Sequence, residues 1–290
     1  MFVILGAAGK VGFSTATALR EAGLPVRAVL RDAAKADKLR AIGCDIALAD
    51  LQDPAALRQA FAGAQAVQII LPPPLRAEDA KGEMRQMTAN MAQAIARAGP
   101  ERVLAISDYG AHVGEDIGMP TMFRHFEERL RELAMPKVFL RSAEHMEGWA
   151  RSIPTAIAAG ILPSLHHPVE RVFAAVSTGD VGRIAADFLR RPSAADVERI
   201  VHAEGPRRYS AADVASALSQ LLGRTITAQA VPREHWQEAL KRTVSASTAG
   251  LLVDLYDAHN KGGLIDVEPQ GEVCYGTTEL VEALRPFVPA

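Results

Sequence analysis

Met1-Phe2-Val3-Ile4-Leu5 runs directly into Gly6-Ala7-Ala8-Gly9-Lys10-Val11-Gly12, and a helix-like stretch, Phe13–Ala22, follows. An apolar strand, glycines spaced G-x-x-G-x-x-G and then a helix make the opening of a dinucleotide-binding βαβ unit. The first glycine lets the chain leave the strand in a sharp turn. The second lets backbone approach a pyrophosphate, and the third lets the helix pack closely on the strand. The helix start then offers free N–H groups and the positive end of its dipole to phosphate. Gly6, Ala8, Gly9, Lys10, Val11 and Gly12 are therefore the expected pyrophosphate contacts.

Beyond this opening, strand-like and helix-like segments alternate. Val26–Leu30, Asp45–Ala49, Ala66–Leu71, Arg102–Ile106 and Lys137–Leu140 read as strands. Ala33–Ile42, Pro54–Phe61, Glu83–Ala98 and Thr121–Ala134 read as the helices between them. Alternation with short links predicts an α/β fold, a Rossmann-type doubly wound parallel sheet. After residue 150 the rhythm changes. Val172–Ala175, Arg199–Ala203 and Ile226–Val231 are strand-like. Val181–Leu189, Ser210–Leu222, Arg233–Lys241 and Ala246–Asn260 are helical, and Leu162–Pro168 reads as a loop. The expected organisation is a core over 1–150 and a smaller C-terminal α/β lobe over 151–290, with a segment near 172–203 returning to the core.

Composition narrows the function classes. The chain has 290 residues, 49% of them hydrophobic, which is enough for a sizeable core, and a net charge of −2 with no basic run to attract nucleic acid. Cys44 and Cys274 stand far apart and make no metal-ligand spacing; both read as reduced thiols, and no metal is expected. Met1–Leu5 is too short for a signal peptide and no apolar run reaches membrane-spanning length, so a cytoplasmic protein is expected.

The second strand-like segment ends in Arg31, with Asp32, Lys35 and Lys38 after it. A guanidinium at this place suits a ribose 2′-phosphate, whereas a carboxylate suits a free 2′-hydroxyl. NADP(H) is the preferred cofactor on this reading, and NAD(H) is the alternative that Asp32 keeps open. Asp50 and Leu51 follow the third strand, where a carboxylate can accept from the adenine amino group and a leucine can cover the ring. Leu71 and Pro72 end the fourth strand, where the chain is expected to pass the nicotinamide ribose.

These segments, taken with Ile106-Ser107-Asp108-Tyr109-Gly110-Ala111, Phe139-Leu140-Arg141, Met146-Glu147, Ser177-Thr178-Gly179-Asp180-Val181-Gly182, Leu222-Gly223-Arg224 and Val231-Pro232-Arg233-Glu234-His235-Trp236, carry a resemblance. In this order the sequence resembles the NmrA-like branch of the atypical short-chain dehydrogenases/reductases. That branch includes NADPH-dependent quinone reductases and redox-sensing regulators. The resemblance implies an NAD(P)H-dependent reductase of a small planar acceptor such as a quinone, or else a dinucleotide-binding sensor acting on a protein partner with little chemistry. A homodimer is compatible with either.

The proton chemistry of ordinary short-chain dehydrogenases is missing. They use Tyr-x-x-x-Lys, in which lysine lowers the tyrosine pKa. Four positions after Tyr109, Tyr209, Tyr256 and Tyr275 stand Val113, Asp213, Asn260 and Glu279. Some NmrA-like reductases place a lysine on the helix after the fifth strand, where this chain has His125-Phe126-Glu127-Glu128-Arg129-Leu130. Ser107, Tyr109, His112 and His125 are the candidates to face the nicotinamide, with Tyr109 and His125 as candidate acids. Met146, Trp149 and the His166-His167 loop are candidates to line the acceptor pocket, and Arg141 is expected to pair with a carboxylate.

Overall fold

The computed structural model describes residues 1–191, 198–269 and 271–289. Its strands are β1 Phe2–Leu5, β2 Val26–Leu30, β3 Asp45–Leu48, β4 Ala66–Ile70, β5 Arg102–Asp108, β6 Lys137–Ser142, β7 Glu144–His145, β8 Ile161–Ser164, β9 Ala175–Val176, β10 Glu198–Glu204, β11 Thr227–Ala230 and β12 Glu272–Tyr275. Its α-helices are α1 Lys10–Glu21, α2 Asp37–Ala41, α3 Pro54–Phe61, α4 Ala80–Ala98, α5 Met119–Arg131, α6 Ile153–Ala159, α7 Thr178–Arg190, α8 Ala211–Leu222, α9 Trp236–Lys241, α10 Ala246–Lys261 and α11 Leu280–Leu284.

Eight strands form one sheet in the order β12-β10-β6-β5-β4-β1-β2-β3, and every pairing in it is parallel. The chain builds outward from β1 through β2 and β3, then crosses back to β4. The β1/β4 boundary is therefore the switch point, and the crevice outside the strands' C-terminal ends lies there. Apolar side chains on one face pack against α1 and α7, with Val11, Ala16, Leu19, Val181, Ala185 and Leu189 buried. The other face packs against α3, α4 and α5, where Leu57, Phe61, Met84, Met91, Met122 and Phe126 are buried. Both faces are covered, which is why these strands read as apolar runs.

Local chemistry sets the element ends. Asp53 accepts from the Ala55 and Ala56 amides, with Pro54 at the first helical position of α3. Asp79 caps α4 through the Gly82 amide, so that helix begins at Ala80 rather than Glu83. Ser210 and Asp213 cap α8 reciprocally. The expected helix Ala33–Ile42 is instead a 3₁₀ turn, Ala33–Lys35, and the short α2, because Asp32 turns its carboxylate onto the Ala34 amide and starts the turn there.

The second half contributes to two bodies of packing. α7, β10 and β12 join the sheet and its helical layer, whereas Met146, Ile153, Leu162, Tyr209, Val214, Leu218 and Leu284 form a separate apolar cluster. The segment expected as the loop Leu162–Pro168 begins as β8, which pairs with β11. Residues 192–197, inside the segment expected to return to the core, lie outside the described residues. α10 bridges the two parts. At its start the Thr248 hydroxyl donates to the Pro74 carbonyl and Ser247 accepts from the Ala80 amide. At its end Asn260 bonds the Leu165 carbonyl and the His167 amide. The helix thus runs from the loop after β4 to the lobe. Among the described residues no helix is long and apolar enough to cross a membrane.

Candidate functional site

The glycine loop leaves β1 at the switch point. Gly6 has φ +74°, and a Cβ there would stand 2.7 Å from Ile70 Cγ2. A Cβ on Gly12 would stand 2.5 Å from the Gly6 carbonyl oxygen and 2.9 Å from Ala7 Cα, so the start of α1 presses directly on the loop. The Gly9 amide donates back to the Gly6 carbonyl, 2.9 Å away, and among the described residues no side chain caps α1. Nor is there an acidic residue in its first turn. Ala8, Gly9 and Lys10 are exposed, and Val11 and Gly12 are buried beneath them. An uncapped helix start with no carboxylate, at the switch point of a parallel sheet, fits a dinucleotide pyrophosphate. Lys10 adds a cation near it, with its ammonium 4.2 Å from the centre of the Phe287 ring.

At the end of β2, Arg31 is exposed and forms no hydrogen bond or ion pair among the described residues, while the Asp32 carboxylate is occupied with the Ala34 amide. The capping bond orients the Asp32 carboxylate toward the turn through one oxygen. Asp50 is half-buried and holds the turn after β3 with one oxygen, accepting from the Gln52 amide. Leu51 is half-buried, and its carbonyl accepts from Asn90. After β4, Pro72 is exposed at the crevice, but the Leu71 side chain is buried in the core under α3 and α4, which leaves only its backbone for a ligand.

Several residues expected to face the acceptor are committed elsewhere. Tyr109 is 3% exposed and its hydroxyl donates to Glu204, which Arg208 also holds, at 3.0 Å. Burial and that carboxylate push the phenol well above its ordinary range, so the expectation of Tyr109 as a cofactor contact, acceptor contact or acid is corrected. Ser107 is buried and donates to Glu127 at 2.6 Å. His112 faces inward, its ring edge-on to the fully buried His202 at 6.4 Å. Met146 is 0% exposed within the separate apolar cluster. His125 lies away from the strand ends, on the outer surface of α5. It pairs with Glu128 at 3.1 Å and lines a shallow cavity of about 220 Å³ with Arg85, Thr88, Ala89, Met122 and Arg129.

The polar floor beneath the crevice is a buried ion-pair network. Arg141, near the end of β6, donates to both Glu127 oxygens at 2.9 and 2.7 Å and to Glu268 at 2.6 Å. This is the carboxylate pairing expected of it. Beside this network stand groups not singled out from sequence. Asp108 ends β5, half-buried, with Oδ1 accepting from the Gly110 amide at 2.9 Å. Burial outweighs that bond and, with Glu127 and Glu144 adding negative charge, pushes its carboxyl up to about 6. His145 follows β6, its Nε2 2.9 Å from Ser142 Oγ, and burial lowers its pKa. Glu144 pairs with His166 Nε2 at 2.8 Å, and that contact holds its carboxyl below the usual range despite burial. His166 stacks on Phe173, with ring centres 3.9 Å apart, and lies near Trp149 at 6.0 Å. Tyr256 and His259 of α10 meet it edge-on, half-buried. Burial drives His259 down to about 4. Trp149 is thus part of an aromatic wall, and of the two adjacent histidines only His166 turns in.

Two of these shifts act oppositely on stability. The Asp108 carboxyl keeps its proton to about pH 6 when folded, against about 4 unfolded. Its contribution is full below pH 4 and is lost as pH rises through 6. The His259 contribution is present above about 6.5 and is lost as pH falls through 4. Melting curves of wild type and Asp108→Asn between pH 4 and 7 separate the two. The variant is expected to gain stability relative to wild type as pH rises, and a constant difference contradicts the assigned shift.

The fold and crevice define a dinucleotide-binding α/β protein of the doubly wound class. The profile of the NmrA-like family matches residues 1–274, and the chain belongs to that family. It is 25% identical to an NAD(P)H azoreductase of Xenophilus azovorans over 90% of this chain and 85% of that one. It is 23% identical to quinone oxidoreductase 2 of Escherichia coli K12 over 92% and 90%. Among solved structures it is similar to the triphenylmethane reductase of Citrobacter sp. complexed with NADP(H), with a TM-score of 0.79, 19% identity and coverage of 99% and 100% of the two chains.

Proposed function

We propose that the protein is an NAD(P)H-dependent oxidoreductase that reduces a small planar acceptor such as a quinone, with NADP(H) preferred over NAD(H). The observation that carries this reading is the uncapped start of α1 on the Gly6–Gly12 loop, with a free Arg31 at the end of the neighbouring strand. Gly6, Ala8, Gly9, Lys10, Val11 and Gly12 hold the pyrophosphate. Arg31 holds the 2′-phosphate, Asp50 and Leu51 the adenine, and Pro72 with the Leu71 backbone borders the nicotinamide ribose. A bound NADPH supplies a hydride to an acceptor in the crevice. The azo and quinone acceptors named for the relatives are flat and conjugated, and the edges of Tyr256 and His259 beside Trp149 and His166 offer such a molecule an aromatic wall. The lobe over 151–290 supplies most of that wall, and we place the protein in the cytoplasm.

The missing Tyr-x-x-x-Lys pair and the burial of Tyr109 favour a second reading, a dinucleotide sensor that engages a protein partner. A homodimer suits either reading. NADPH oxidation followed against a panel of quinones, azo dyes and carbonyl compounds separates them: the reductase turns over at least one conjugated acceptor, whereas NADPH binding with no turnover of any supports the sensor. Arg31→Ala is expected to weaken NADPH more than NADH, by roughly 1.5–3 kcal/mol for a lost charged hydrogen bond. Equal losses for both cofactors remove Arg31 from the 2′-phosphate.

A further inference from the structure

We propose that Asp108 is the proton donor to the reduced acceptor, a half-buried carboxyl that ends β5 and is tethered through one oxygen. The proposal rests on the reductase reading. Asp108 lies opposite Ser142 in the β5/β6 register, and Ser142 bonds His145, so Asp108 sits at the strand ends beside the switch-point crevice. Its Oδ1 is fixed by the Gly110 amide, which leaves Oδ2 free to carry and deliver a proton. The charged groups that bear on it are Glu127 of α5, Arg141 of β6 and Glu144 of β7. Arg141 is already bonded by Glu127 and Glu268, so it neutralises Asp108 poorly.

The other titratable groups at this rim are set against the task. Glu144 is ion-paired and held as a carboxylate. His145 and His259 are pushed toward their neutral forms, and the Tyr109 and Tyr256 phenols are pushed above their ordinary range. Asp108, held near 6, is the group whose proton is both present and releasable close to neutral pH.

The step balances simply. Hydride brings two electrons and one hydrogen to a quinone, leaving one oxygen anionic. The Asp108 O–H bond breaks, an O–H bond forms on that oxygen, and the hydroquinone leaves. Solvent returns the proton to the carboxylate. A general acid of this kind contributes on the order of 10²–10⁴ in rate.

The test uses the full chain labelled with ¹³C at aspartate carboxyls. In wild type one carboxyl resonance is expected to titrate near pH 6, and it is absent from Asp108→Asn. Titration of Asp108 below pH 5 overturns the proposal. In parallel, Asp108→Asn is expected to lower kcat on a quinone by about 10² and to lose the decline in rate above pH 6, with NADPH affinity within twofold of wild type. Asp108→Glu is expected to restore part of the rate. An Asp108→Asn protein with wild-type turnover and pH profile overturns the assignment while leaving the reductase reading intact. A wild type that binds NADPH and reduces nothing overturns both.

Discussion

Gly12→Val is expected to abolish dinucleotide binding. No rotamer relieves the clash, because the contact begins at Cβ, 2.5 Å from the Gly6 oxygen and 2.9 Å from Ala7 Cα, and both are backbone atoms. Either α1 moves away from the loop or Gly6 and Ala7 move into the space proposed for the pyrophosphate. Each route breaks the alignment of helix N–H groups on phosphate, where a charged hydrogen bond contributes roughly 1.5–3 kcal/mol. Loss of two such bonds lowers affinity by about 10²-fold or more on that scale. Overpacking alone also costs about 1–3 kcal/mol of stability. Calorimetric titration with NADPH and a thermal melt read the two effects separately. Binding within tenfold of wild type contradicts the assignment of this loop to the pyrophosphate.

The second large effect is Arg141→Ala. Glu127 is 1% exposed at its side chain, and Arg141 supplies two of its hydrogen bonds. Ser107 and Arg131 supply the others. Without Arg141, Glu127 keeps only Arg131 as a cationic partner, and breaking a buried pair costs up to about 3–5 kcal/mol. Glu268 loses its contact as well, which loosens the segment that leads into β12. Urea denaturation is expected to show a lowered midpoint with little change in slope. The double variant Arg141→Met with Glu127→Gln is expected to recover much of the loss, because it removes the under-compensated buried carboxylate as well. A loss below 1 kcal/mol for Arg141→Ala contradicts the network's role in fixing β5, β6 and α5 beneath the crevice.

The sheet was legible because both faces are covered, so its strands are short apolar runs separated by helices with strong caps. Asp53-Pro54 and Ser210 with Asp213 marked helix starts on local chemistry alone. β12 was not legible: Glu272-Val273-Cys274-Tyr275 is half-polar, and its place depends on pairing with β10, some seventy positions earlier. The break at Ala36 was missed because Asp32 reads from sequence only as a ribose partner, whereas its carboxylate accepts from the Ala34 amide and starts a separate turn.

The site divides along the same line. The glycine loop and Arg31 are local in sequence, so spacing alone is enough to propose them. Tyr109 and His112 sit in the strand-end segment where an acceptor contact was expected, yet Tyr109 points at Glu204 and His112 at His202, both on β10. Which way a side chain turns at the end of a strand depends on partners from a distant strand. Asp108, one position before Tyr109, carried the signal in plain view as a carboxylate ending an apolar strand, but its raised pKa comes from burial and from Glu127 and Glu144, which only folding brings near. The Glu144–His166 pair and the α10 aromatics likewise arise from tertiary contacts.

The most direct test of the central claim is a fluorescence titration of the purified protein with NADPH and, separately, with NADH. Saturable binding with a clear preference for NADPH is the predicted result. Absence of binding by either cofactor contradicts the account and shifts the search for function to protein partners.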